Sequence, residues 1–393
     1  MKNVEFQDYN KIEDILKNTK YNTEDYKDII NHFQDERSKM ILYYRLMYDK
    51  TSDIYYKIML EKAMFYQTNF YNYRDRVMYN FLDFLLKRDN YQKKAYIIGF
   101  PSHDESGSFW GMVSIIQNSN VKCIFDNIEA PYTYMSGDGK YTVNPICRYK
   151  ELKEDKNIIF IIANPRYKYM KDVIANELEI DRNSIFVFDS PAEYVRGIMY
   201  FDEPCIKIKD NEVFIDGGAA DFATSEMFMD YVEGSYKKIY AIEPLDDFFN
   251  ICKNKIAQRN YHNVSVEQVG LWNYNGQLNF SRKSCGSSHI SEEGDDSINV
   301  KSIDSILDGK EATIIKMDIE GSEHNALEGA RNTIIKYKPL LIISVYHKPY
   351  DSIDIPKLVL SMVPDYKLIM RHYAYSNCES VMFFVPEERY KEI

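Results

Sequence analysis

Two short apolar stretches and the residues that end them limit the fold more than anything else in the chain. Glu212-Val213-Phe214-Ile215 runs into Asp216-Gly217-Gly218, and Lys238-Ile239-Tyr240-Ala241-Ile242 runs into Glu243-Pro244. In a parallel sheet the ligand crevice lies beyond the carboxyl ends of the strands, and glycines after the first strand let backbone and ligand approach closely. An acidic residue ending the neighbouring strand accepts hydrogen bonds from ribose hydroxyls. Either segment alone also fits a tight turn with a solvated carboxylate. In this order the pair outlines a nucleoside-binding α/β half.

Composition narrows what surrounds it. At 393 residues the chain exceeds one ordinary core, which implies two or three domains. A net charge of -11 disfavours sequence-independent nucleic-acid binding, which needs a basic face to displace counterions. Six cysteines (Cys123, Cys147, Cys205, Cys252, Cys285, Cys378) show no Cys-x-x-Cys spacing and read as reduced thiols in a cytoplasmic protein, with neither a disulfide nor a zinc site expected. The longest apolar runs, such as 158–163, are strand-sized, so no membrane span is expected.

Three sections follow from periodicity: a helical section at 1–90, a small parallel α/β section at 91–199, and a larger α/β section at 200–393. The first carries an apolar stripe of Ile29, Phe33, Met40, Leu42, Tyr43, Leu46 and Met47 at helical spacing, while charge runs such as Asp35-Glu36-Arg37 read as solvated faces. The second alternates strands near 95–98, 121–125, 158–163 and 184–188 with helical stretches at 109–117 and 168–178. The turn from Gly99 to Gly107 lacks Gly-x-Gly-x-x-Gly and carries Phe100 and Pro101, so this sheet reads as a scaffold or substrate-docking element rather than a dinucleotide site. The third has strands at 212–216, 238–242, 264–269, 312–318, 340–346, 366–371 and 380–385, with a helix expected at 322–335. Its last two strands, closely joined, should pair antiparallel and leave one reversed strand at the edge of a mostly parallel sheet. That is the arrangement of a class I methyltransferase Rossmann-like domain.

The segment Ile314-Ile315-Lys316-Met317-Asp318-Ile319-Glu320-Gly321 breaks the rule that a covered central strand is apolar throughout. Lys316, Asp318 and Glu320 alternate and so are expected to point to one side at its carboxyl end, and burying three charges is costly unless they serve one another or a ligand. The next strand ends in His347, within expected reach of Asp318, and an ordinary imidazole suits removal of a proton from a hydroxyl at neutral pH. Oxygen and imidazole ligands from Asp318, Glu320 and His347 are compatible with Mg²⁺ or Mn²⁺, but strand spacing specifies no ion and no metal is predicted. The polar stretch Ser284 to His289 reads as a lid or a surface hairpin.

Tyr200-Phe201-Asp202, Asp216-Gly217-Gly218-Ala219, Ile242-Glu243-Pro244, Gly270-Leu271-Trp272, Ser287-Ser288, Lys316-Met317-Asp318-Ile319-Glu320-Gly321-Ser322-Glu323 and Lys338-Pro339-Leu340 together resemble the FkbM family of S-adenosylmethionine-dependent methyltransferases. The resemblance implies methyl transfer, usually to a hydroxyl oxygen of a sugar, glycan or secondary metabolite. It implies cofactor binding by Asp216, Gly217, Gly218, Asp221, Thr224, Glu243, Gly270 and Leu271, with Glu243 on the ribose. Asp318, His347 and Lys316 would do the chemistry, and Glu320 and Ser288 would face the acceptor. Implied partners are a small-molecule or glycan acceptor and, beyond that, a second copy or a glycan-synthesis enzyme. One departure matters: Phe222 stands where the family pattern commonly has a second glycine, and its ring either crowds the cofactor or turns inward. Two other readings compete, a non-catalytic binding or scaffold protein with a degenerate cofactor site and a nucleotide-sugar enzyme using the first sheet.

Overall fold

The structure is a computed structural model that describes residues 8–64, 73–99, 121–136, 139–163, 165–187, 199–201, 203–281, 289–290, 296–373 and 378–392. The chain divides into two compact units. One comprises Met47–Arg196 with His372–Cys378; the other comprises Met1–Leu46, Gly197–Arg371 and Glu379–Ile393. This differs from three successive sections, because the first 46 residues belong with the C-terminal part of the chain.

In the Met47–Arg196 unit a six-stranded sheet holds β1 (Lys94–Ile98), β2 (Val121–Asp126), β3 (Tyr132–Ser136), β4 (Gly139–Pro145), β5 (Ile158–Ile162) and β6 (Ile185–Val187) in the order β3-β4-β2-β1-β5-β6. All pairings are parallel except β3 with β4. The four strands expected from apolar runs are present. The β3–β4 hairpin is an addition, its Tyr- and Thr-rich strands lacking an apolar run. The expected helix at 109–117 lies outside the described residues.

The other unit is built on a seven-stranded sheet of β7 (Glu212–Gly217), β8 (Tyr236–Ile242), β9 (Val264–Glu267), β14 (Ile314–Met317), β15 (Leu340–Ser344), β16 (Lys367–His372) and β17 (Ser380–Val385). Its order is β16-β17-β15-β14-β7-β8-β9. Between β9 and β14 the chain makes a four-stranded sheet from β10 (Gly270–Leu271), β11 (Gly276–Ser281), β12 (His289–Ile290) and β13 (Asp296–Lys301). The reversed strand is β17, antiparallel to β15, and it lies one place in from the edge rather than at it, with β16 outside it. The apolar faces explain the placement: every residue of β17 is buried, which an inner strand requires, whereas β16 begins on the half-buried Lys367.

Two buried ion pairs tie distant parts of this unit together. Glu212, at the start of β7, receives both guanidinium nitrogens of Arg389 at 2.6 and 2.8 Å. Arg371 on β16 donates to Glu203 at 2.8 Å and to Asp35 at 3.0 Å, while Ser38 donates its N–H to Asp35 at 2.7 Å. Asp35 is therefore an anchor and not part of a solvated charge run, because it answers an arginine that burial would otherwise leave uncompensated. The helical stripe is core as expected, with Ile29, Phe33, Met40, Leu42, Tyr43 and Leu46 all buried.

Candidate active site

The carboxyl ends of β7, β8, β14 and β15 are neighbours, so the residues that end them converge. Registers place Lys316 beside Asp216 and Met317 between Gly217 and Ile343. β7 finishes at Gly217, and Gly218 continues with φ +75°, donating its N–H to the Ile242 carbonyl of β8 at 3.0 Å. A Cβ at Gly218 would lie 2.0 Å from the Asp318 carbonyl oxygen, so only glycine lets the two strand ends come this close. A Cβ at Gly217 would meet Leu271 Cδ1 at 2.8 Å, which puts Leu271 directly against the loop. Gly270 packs instead on Ile298 and Val300 of the smaller sheet.

Asp216 and Lys316 hold this loop from beneath. Lys316 Nζ donates to Asp216 Oδ1 at 3.1 Å and to the carbonyls of Gly217 and Gly218 at 3.1 and 3.0 Å, while Ser225 donates to Asp216 Oδ2 at 2.7 Å. Asp216 is 0% and Lys316 2% exposed. Burial works against the ammonium, but Asp216 and Asp318 keep it charged and raise its pKa above the ordinary lysine value. The two expected site residues therefore form one buried pin that fixes the loop carrying Gly217 and Gly218.

Glu243, directly after β8, is buried and takes one backbone N–H on each oxygen, from Ala220 and Leu245, both at 3.0 Å. Each carboxylate oxygen has a second lone pair, the acceptor set a vicinal diol requires. Burial raises its pKa, and the two N–H donors offset part of that rise. Asp221 is exposed and accepts from the Ala223 N–H at 3.1 Å, capping the helix Ala223–Tyr231 on which half-buried Thr224 sits. Phe222 adopts φ +72°, the left-handed conformation a glycine would take, and is fully buried, its ring 6.1 Å from that of Tyr261. A ring standing in an open crevice would be exposed; this one packs beneath the loop.

Beyond β14 the expected alternation fails, since the strand stops at Met317 and Glu320 turns at φ +54°. Asp318 instead gathers two phenols: Tyr200 donates to Oδ2 at 3.1 Å and Tyr346 to Oδ1 at 3.2 Å. His347 Nε2 lies 3.4 Å from Asp318 and 3.7 Å from Glu320, and its Nδ1 lies 2.9 Å from Glu323. Glu323 is buried and also accepts the Ile319 N–H at 2.9 Å. Burial alone would lower the His347 pKa, but Glu323, Asp318 and Glu320 outweigh it and hold the imidazole at about 9. At neutral pH an imidazole so held carries its proton. Asp318, Glu323 and His347 present ligand atoms within 4.8 Å of one another, a spacing that suits a divalent ion. Both ring nitrogens of His347 and one oxygen of Glu323 are buried without a well-aligned hydrogen bond, so charge attraction rather than hydrogen bonding holds the three together.

Asp318, His347 and Glu320 are thus brought together, and Asp216–Gly218, Glu243 and Leu271 form the adjoining corner. Ser288 lies outside the described residues. Tyr200, Tyr346 and Glu323 are site residues that sequence reasoning did not assign. Tyr200 and Glu323 stood in segments already singled out, but their partners are distant in sequence.

Residues 216–376 match the family model for the methyltransferase FkbM domain. Among solved structures, the methyltransferase FkbM from Methylobacillus flagellatus KT aligns with a TM-score of 0.52 at 20% identity, over 74% of this chain and 90% of that one. Aeropyrum pernix fibrillarin with bound S-adenosyl-L-methionine aligns at a TM-score of 0.30 and 9% identity, over 47% of this chain and 70% of its own. An rRNA methylase from Streptococcus thermophilus aligns at 0.31 and 12%, over 46% and 90%. No curated protein matches in sequence.

Proposed function

We infer that this chain, whose residues 216–376 are a methyltransferase FkbM domain, transfers a methyl group from S-adenosylmethionine to a hydroxyl oxygen on a sugar, glycan or secondary metabolite. The observation that carries the reading is the junction of two half-sites: a glycine corner with a buried diol acceptor, Glu243, and an acidic cluster centred on Asp318 at the end of the adjoining strand. The residues fit the cofactor by their donor set. Glu243 has lone pairs for ribose hydroxyls, and Leu271 packs its apolar side chain against Gly217.

S-adenosylmethionine, when bound, supplies an electrophilic methyl group on a cationic sulfur. The chain supplies placement and proton handling. Asp318, oriented by Tyr200 and Tyr346, accepts the proton of the attacking hydroxyl. His347, fixed by Glu323, stays protonated and orders the acidic cluster. Glu320, at the outer side, is 40% exposed and accepts hydrogen bonds from the acceptor. Most of the rate comes from holding nucleophile and methyl group in line. The buried position of Phe222 supports this reading over a non-catalytic protein.

The test is incorporation of labelled methyl from S-adenosylmethionine into a panel of polyhydroxylated acceptors. Asp318→Asn should lower turnover by about two to four orders of magnitude, the scale of general-base catalysis, with cofactor affinity unchanged. Full activity in Asp318→Asn would remove the proton-acceptor role. Transfer to nitrogen or carbon acceptors alone would refute the hydroxyl assignment.

A further inference from the structure

The Met47–Arg196 unit repeats the corner just described. In the order β3-β4-β2-β1-β5-β6 the chain builds to one side of β1 and then to the other, and the crevice of an open α/β sheet lies beyond the strand ends at such a reversal. Gly99 follows β1 with φ +83° and donates its N–H to the Phe125 carbonyl at 2.7 Å; the next residue, Asp126, ends β2. Gly218 follows β7 with φ +75° and donates to the Ile242 carbonyl at 3.0 Å; the next residue, Glu243, directly follows β8. A left-handed glycine is thus tied in both units to the carbonyl just before a carboxylate at a strand end. Asp126 is also half-buried, as a group meant to exchange protein contacts for ligand contacts would be.

We propose that this unit holds a second ligand site, at the carboxyl end of β1, for a ribonucleotide whose ribose cis-diol is bound by Asp126. The comparison rests on Glu243 binding ribose in the reading above. Tyr167, from the turn Pro165–Tyr167 after β5, reaches Asp126 Oδ1 with its hydroxyl at 2.7 Å, and the Asn127 N–H reaches the same oxygen at 2.7 Å. Since β2 and β5 flank β1, this phenol–carboxylate bond spans the end of β1. Burial and Asp126 push the Tyr167 hydroxyl up to about 12, so it remains a donor. A ribose hydroxyl is likewise a donor and takes over that acceptor. The carboxylate also selects a free diol over a 2′-phosphate, which like charge repels. A nucleotide-borne substrate docked here gives the substrate-docking role expected of this sheet a chemical form.

The experiment is calorimetric titration of the full chain with ADP, UDP and GDP, each in the presence of saturating S-adenosylhomocysteine. At least one should bind saturably, and its 2′-deoxy counterpart more weakly. Asp126→Asn, which keeps an oxygen for Tyr167 and Asn127, should weaken binding about tenfold or more, as expected for losing a charged hydrogen-bond partner. Tyr167→Phe, which removes one competing donor, should bind at least as tightly, and Glu243→Ala should bind the nucleotide unchanged. Absence of binding at millimolar nucleotide, indifference to Asp126→Asn, or displacement by S-adenosylhomocysteine would each overturn the proposal. Should S-adenosylhomocysteine itself fail to bind, the methyltransferase reading fails while the nucleotide titration still decides this one.

Discussion

Replacing Lys316 by Met tests whether the first loop is pinned from beneath. Met keeps most of the volume and removes the charge, so the change isolates the polar contacts. Asp216, 0% exposed, would keep, among the described residues, the Ser225 donor at 2.7 Å. Gly217 O would retain the Asp318 N–H at 3.1 Å, and Gly218 O would lose its lysine donor. Leaving a carboxylate so buried without its cation costs about 3–5 kcal/mol, the scale of a broken buried pair. Urea unfolding of Lys316→Met should therefore show a loss of about 4 kcal/mol at pH 7. Adding Asp216→Asn should recover about half of it. A loss below about 1 kcal/mol, or no recovery in the double variant, would refute the buried-pin argument.

Three further outcomes follow from the same geometry. His347, raised from 6.5 to about 9 in the folded state, contributes stability that is fully present below pH 6.5 and lost as pH rises through about 9; the denaturation midpoint of wild type relative to His347→Gln should fall across that window. Gly218→Ala should destabilise by more than about 3 kcal/mol, because left-handed backbone strain of ~1–3 kcal/mol adds to a Cβ placed 2.0 Å from a carbonyl oxygen, and thermal unfolding will read it. Phe222→Gly should lose about 3–5 kcal/mol of packing and regain ~1–2 kcal/mol of backbone strain, for a net loss of about 2–3 kcal/mol, with cofactor affinity unchanged in a binding titration.

Much of this was legible in the chain because covered strands announce themselves. Each of the seven strands expected in the main sheet is present, with ends displaced by a few residues, since Val, Ile and Phe runs bounded by Gly, Pro or charge leave little alternative. The strands at 132–145 and 270–301 escaped because they are short and polar, held by neighbours rather than by an apolar face. The helix expected at 322–335 is two, Glu323–Glu328 and Arg331–Tyr337, broken where Gly329 packs against Trp272, whose carbonyl oxygen lies 2.1 Å from where a Cβ would be. In the site, strand-end position correctly brought His347 to Asp318. What position could not convey was charge state: the imidazole is governed by Glu323, 24 residues away in sequence and 2.9 Å away in space. Likewise, Lys316 and Asp216 were visible as charges in apolar strands, but only the register of β14 on β7 shows that they neutralise each other.

The central claim is that Gly218 and Glu243 form the cofactor corner of a methyltransferase. Its most direct test is calorimetric titration of S-adenosylmethionine into wild type and Glu243→Ala. Saturable binding at one site per chain, weakened about ten- to a hundredfold by the substitution, is the expected result for a lost charged hydrogen-bond partner. No binding to wild type at millimolar cofactor, or equal binding by both proteins, would contradict it.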